Sequence, residues 1–342
     1  MEECIIFRTR NWITGTNDFY AIAVPVDFGG HGSNNTDVLF LEPLFLEPVL
    51  KTTVPINSTF VAVGASLLCV GGFTNGNTLF EIYRLDAARE DSCAEMMLSP
   101  RVEPNVVVMD GKLYIMGCQS LDGIWGECFD PCCKKSSPLP LPPSDGLLNT
   151  VVAPLHSSKK ILVAPVFPSA PQDVAFVYHV EDKVWEILDH KIDFSKVFVK
   201  GEAAVLRNST TLCWINCNTR MVQAYDLVLR KWFISPIEGL DKVGTLVGEP
   251  TACSLFRLDD NHLCLLWEDY FGYSRYSPNS AHGLIHCTKV RVLISKGARG
   301  GSKKKRKKSK GARGESIFNA FVVSSQSYVL APGATLVDGL AL

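Results

Sequence analysis

No apolar run in this 342-residue chain approaches 18 residues, so no membrane-spanning helix is expected. The opening residues, MEECIIFRTRNW, carry two acids at once and no sustained apolar core, which argues against a signal peptide. Helical periodicity is missing throughout, and with it a bundle or an α/β architecture. Histidine is scarce, with only His31, His156, His179, His190, His262, His282 and His286, and none forms a spaced pair with neighbouring tyrosines. No G-x-S-x-G, no H-E-x-x-H and no phosphate-cradling glycine loop occurs, which removes the common hydrolase, metalloprotease and nucleotide signatures. No catalytic, cofactor-binding or metal residue is therefore assigned.

The twelve cysteines lack the spacing of a disulfide framework. Cys69, Cys213, Cys253, Cys264 and Cys287 sit inside apolar runs, where a reduced thiol behaves as a small hydrophobe. A reducing compartment, cytoplasm or nucleus, is expected, and the sequons at Asn34, Asn57 and Asn208 then carry no glycan. Cys128, Cys132 and Cys133 form a C-x3-C-C cluster, but tetrahedral zinc needs four ligands and no second half is evident. Structural cysteines at a sheet edge are the expectation.

Acidic residues are missing from 296–314, which holds ten basic ones. The formal net charge of −1 hides this, since without the segment 24 basic side chains face 35 acidic ones. Its centre, Lys303, Lys304, Lys305, Arg306, Lys307 and Lys308, is flanked by GARGG and KGARG and must stay solvated. An import receptor would read such a run in extended form, whereas contact with nucleic-acid phosphates is the lesser reading because no aromatics are interleaved for stacking. A solvated insertion without function is the alternative.

What the chain does have is recurrence. Residues 60–86 read as an apolar run ending in Gly71-Gly72, a polar turn over 74–77, and a second apolar run. This predicts strand, tight turn, strand. Residues 101–131 repeat it with Asp110-Gly111 as a hairpin turn and Gly117-Cys118 where the glycine pair stood. Aromatic markers fall at Tyr83, Phe129, Tyr178 and Tyr225, and Trp185 and Trp232 each follow their tyrosine by seven residues. A period in the forties without helices points to stacked or radial β units.

The pattern of Arg101, V-x-x-G-K-L-Y-I-x-G, aromatic-Asp and Trp resembles the kelch repeat of β-propellers. In particular the chain resembles the kelch half of plant F-box/kelch-repeat proteins, a likeness carried mainly by residues 55–270. It is degenerate, because the third unit has Ala164-Pro165 in place of the glycines. The resemblance implies an all-β, kelch-type β-propeller of about six blades of four antiparallel strands, with seven as the alternative, and one domain over 1–342. The expected blades cover 58–100, 102–143, 147–190 and 203–235. A sixth takes 251–267 as its inner hairpin and 285–294 and 316–324 as outer strands, so the basic segment becomes a loop between strands. The C-terminal residues are expected to supply a strand that closes the ring on the first blade. No F-box is visible in the chain.

The resemblance implies protein binding and substrate recognition for ubiquitin ligation through ligase subunits, with no enzyme activity, no cofactor and no membrane. Arg101, Trp185 and Trp232 are expected to be structural. Candidate partner contacts are Trp125, in the turn 121–126, and Tyr270, Phe271, Tyr273, Arg275 and Tyr276 of YFGYSRY, whose composition matches interface hot spots. The competing readings are a propeller enzyme with a site at a channel mouth and a nuclear, nucleic-acid-associated factor using the basic loop.

Overall fold

The computed structural model describes residues 4–11, 13–25, 42–85, 94–117, 123–143, 150–165, 174–188, 192, 202–206, 210–216, 219–243, 253–270, 283–296 and 316–341. Among these residues the secondary structure is β-strand apart from two single-turn 3-10 helices, His156–Ser158 and Leu240–Lys242. No described helix is long and apolar enough to cross a membrane.

The strands form six four-stranded antiparallel blades. Named from inner to outer strand, the second blade is Thr59–Val63, Ser66–Val70, Glu81–Leu85 and Ala94–Met96. The third is Asn105–Met109, Lys112–Met116, Gly126–Asp130 and Lys135–Pro138. The fourth is Thr150–Leu155, Lys160–Pro165, Phe176–His179 and Val184–Ile187. The fifth is Ala204–Leu206, Thr211–Asn216, Met221–Asp226 and Lys231–Glu238. The sixth is Cys253–Arg257, His262–Tyr270, Gly283–Lys296 and Ser316–Val329. In the first blade the inner strand comes from the far end of the chain: Ala334–Ala341 pairs antiparallel with Cys4–Asn11, followed by Asn17–Ala23 and Leu50–Thr52. The expected ring closure is thus present, and the inner strands lie side by side from the second blade through the sixth to the first. This is the kelch-type β-propeller.

Burial follows position in the blade. The inner strand Thr150–Leu155 is buried at every residue, because neighbouring blades cover both its faces, and it reads accordingly as an unbroken apolar run. The outer strand Lys231–Glu238 alternates, with Phe233, Ser235 and Ile237 buried between exposed neighbours. Blades are stitched to one another by hydrogen bonds that recur at one spacing. The Thr59 hydroxyl donates to the Pro104 carbonyl, the Asn105 amide to the Thr150 carbonyl and the Trp185 indole to the Pro140 carbonyl, each across 45 residues.

Two local expectations need correction. The apolar run 60–70 is not one strand but a complete hairpin, Thr59–Val63 against Ser66–Val70, turning at Gly64 with φ 58°. The run is apolar on both sides of the turn because both strands are inner ones. The polar turn at 74–77 instead joins the two-residue strands Phe73–Thr74 and Asn77–Thr78, with Asn75 and Gly76 both at positive φ. Cys253, expected as a reduced thiol, is disulfide-bonded. No other described cysteine is in a disulfide, so its partner lies outside the described residues.

One feature of the architecture has no counterpart in the sequence reading. The outer strands of the fifth and sixth blades pair in parallel through Ile237 with Ala320 and Glu238 with Phe321. Both strands are far longer than the outer strands of the other blades, 8 and 14 residues, and so they meet. Phe233 stacks on Phe318 beneath this junction, with ring centroids 5.7 Å apart.

Candidate interaction surface

In a blade of four antiparallel strands, the connection from second to third strand and the linker to the next blade leave at the same end. Among the described residues, that end therefore carries 13–16, 71–80 and 123–125 from the first, second and third blades. It also carries the linkers 53–58 and 97–104. The described first-to-second turns lie at the opposite end.

The framework under this surface is built from buried charge. Arg101, fully buried, threads the start of the third blade. Its guanidinium donates to the carbonyls of Gly117 (2.7 Å), Ile124 (3.0 Å) and Trp125 (3.1 Å) and approaches Glu127, equally buried, at 3.4 Å. Glu127 in turn accepts from the Leu98 amide at 2.7 Å. The Arg101 carbonyl takes the Gly72 amide at 2.8 Å. This approach explains the glycine pair: a Cβ on Gly71 would lie 2.5 Å from that carbonyl oxygen, and Gly71 and Gly72 have φ of 61° and 109°. One arginine therefore fixes connections of two successive blades.

In the sixth blade, the second and third strands approach this end through a buried stack. The Trp267 ring lies on His286 with centroids 4.2 Å apart, and the Arg220 guanidinium of the fifth blade sits 4.8 Å over the indole. The His286 ring shares a 2.8 Å hydrogen bond with the Ser327 hydroxyl.

On this rigid base the structure leaves apolar side chains in solvent. Ile13 is 56% exposed, Ile56 45%, Phe73 39% and Phe80 37%. Ile56 and Phe73 bridge each other through the backbone, so linker and loop form one ledge. None of these four was singled out from the sequence. The signal was available in FTNGNTLF, where two phenylalanines flank a turn too short to bury them.

The residues that were singled out divide. Trp125 is half-buried and meets Trp185 edge-on at 5.5 Å, packing with the core between the third and fourth blades, so much of its ring serves packing. Tyr270 ends its strand, paired with Gly283. Phe271, Tyr273, Arg275 and Tyr276 lie outside the described residues, as do Lys303, Lys304, Lys305, Arg306, Lys307 and Lys308. Among the described residues no group of three His, Cys, Asp or Glu side chains could hold a metal ion. Cys132 and Cys133 are exposed and free, and burial pushes the Cys128 thiol up while a hydrogen bond with Tyr114 opposes the shift.

Comparison with known proteins adds a partial likeness. No protein-family model matches the chain. Over 89 residues it is 35% identical to an F-box/kelch-repeat protein of Arabidopsis thaliana, covering 25% of each chain. A second such Arabidopsis protein is 34% identical over 104 residues, 28% of this chain and 34% of its own length. A third is 30% identical over 98 residues, 28% of this chain and 26% of its own. The chain thus spans a quarter to a third of the length of the curated relatives it matches. Alongside the six-bladed repeat fold and the buried motif arginine, the chain is thus similar over about a quarter of its length to plant F-box/kelch-repeat proteins.

Proposed function

We propose that the chain is a non-enzymatic protein-interaction module that recognises its partner through the end of the propeller bearing Ile13, Ile56, Phe73 and Phe80. The observation that carries this reading is that these apolar side chains stay exposed on loops whose backbones are tied down by Arg101 and the neighbouring blade. Rigid scaffold beneath variable contact residues is the usual arrangement of a recognition surface, and aromatic anchors dominate binding energy there. In this reading Tyr270, Phe271, Tyr273, Arg275 and Tyr276, which lie in the chain between the second and third strands of the sixth blade, extend the surface.

The finer reading is substrate recognition for ubiquitin ligation, in which ligase subunits join the complex as they would for an F-box/kelch-repeat protein. The basic run 303–308, in the chain between the third and fourth strands of the sixth blade, serves an import receptor and places the protein in nucleus as well as cytoplasm.

Quantitative affinity capture from cell extract tests this. Three forms are compared at low and moderate salt: the intact chain, a chain lacking 297–314, and the double variant Phe73→Ala, Phe80→Ala. Partners that resist salt, survive loss of the basic segment and fall by roughly 30-fold in the double variant are expected, the loss of about 2 kcal/mol typical of a hot spot. Ligase subunits among them support the adaptor role. Capture unchanged in the double variant, or abolished with the basic segment, would reject the surface.

A further inference from the structure

We infer that Cys264 and Cys287 are an oxidisable dithiol, converted by hydroperoxide into a disulfide within the sixth blade. The two thiols, neither of them in a disulfide, lie 3.4 Å apart, sulfur to sulfur, and both residues are fully buried. Cys264 stands on the second strand opposite Lys289, and Cys287 on the third opposite Leu266. The offset of two residues puts both side chains on the same face as diagonal neighbours. Their surroundings are apolar, with Ile5, Leu266, Ile285 and Tyr328 in the same cluster between the sixth and first blades. A disulfide needs about 2.05 Å between sulfurs, so closing by about 1.4 Å suffices, a side-chain rotation within an intact ladder.

The chemistry balances with peroxide alone. One sulfur attacks a peroxide oxygen, the O–O bond breaks, one water leaves and a sulfenic acid remains. The second sulfur displaces its hydroxyl as a second water, and the S–S bond forms. Two thiols are oxidised and one peroxide is reduced to two waters. The oxidant is close to water in size, and local opening of the strands admits it. The bridge would staple the two strands whose connection carries Phe271, Tyr273, Arg275 and Tyr276.

Tryptic mapping of the full chain is the test, because Arg275 lies between the two cysteines. Digestion yields 258–275 and 276–289, each with one cysteine. The folded chain is treated with hydrogen peroxide, alkylated under denaturing conditions and digested without reductant. The expected result is a joined 258–275/276–289 species, two hydrogens lighter than the sum, lost on reduction and absent from Cys287→Ala. Both peptides recovered separately and fully alkylated would overturn the inference. So would joining seen only when the chain is unfolded before oxidation, or Cys264 joined to a different cysteine.

Discussion

Arg101 and Glu127 carry opposite charges with no exposed side-chain surface, 3.4 Å apart. Such a pair adds little over an apolar replacement, but breaking it leaves one buried charge without its counter-ion. Arg101→Ala would strand Glu127 and release three carbonyls at once. Urea denaturation should show a loss of about 3–5 kcal/mol. The double replacement Arg101→Met, Glu127→Leu should recover part of that loss, since it removes the charge together with its need for a partner. At the same scale, Asp130 shows how one side chain sets a turn. Its carboxylate takes a 3.0 Å ion pair from Lys112 and accepts the Cys132 amide at 2.9 Å, and both hold its carboxyl below the ordinary range. The favoured charge is thus present above the unfolded carboxyl range and disappears as pH falls through the lowered folded value. Asp226 caps Val228 and Leu229 in the same way two blades on.

Strands repeat with their turns. Five residues after Phe129, Tyr178 and Tyr225 stand Lys134, Lys183 and Arg230, all at φ between 54° and 56°, closing third-to-fourth turns. Two residues further, Trp185 and Trp232 face their tyrosines across the ladder, at 5.0 and 5.2 Å between ring centroids. Both tryptophans are only half-buried on outer strands. Truncating a fully buried tryptophan to alanine costs about 3–5 kcal/mol. Half-burial lowers it, and Trp185→Ala or Trp232→Ala should cost about 2 kcal/mol, measurable as a shift of the urea midpoint at unchanged slope. Trp185→Phe tests the indole bond to Pro140 separately, at about 1 kcal/mol.

At the scale of the whole molecule, the ring depends on a strand from the other end of the chain. Ala334–Ala341 gives the first blade its inner strand, and Asp338 reaches Arg8 at 2.6 Å. Arg8 also donates to the Ser58 hydroxyl and carbonyl in the second blade, at 2.9 and 3.0 Å. The closing strand therefore supports a buried guanidinium that spans two blades. Removing 334–342 should leave Arg8 without its carboxylate and take the Leu336 side chain out of the core between the first and sixth blades. Limited proteolysis is expected to cut within the first blade in the shortened chain and to spare it in the intact one. Asp338→Asn should weaken closure without removing the strand, giving faster cleavage at the same sites.

The period of the fold could be read directly from the chain. Alternation, turn glycines and aromatics spaced by the forties are local properties, set by side-chain period and backbone φ, so the propeller and most blade boundaries were legible. The hairpin within 60–70 was misread because inner strands are apolar on both faces and Gly64 alone marks their turn. The candidate surface was only partly legible. Composition marked YFGYSRY, but exposure belongs to neighbours, and only the folded ring left Phe73 and Phe80 in solvent while packing Trp125 onto Trp185. The parallel junction of the outer strands, the Arg8 tie and the contact of Cys264 with Cys287 were set by tertiary structure alone. Each joins residues through the meeting of separate strands, and no spacing along one strand encodes where another will lie.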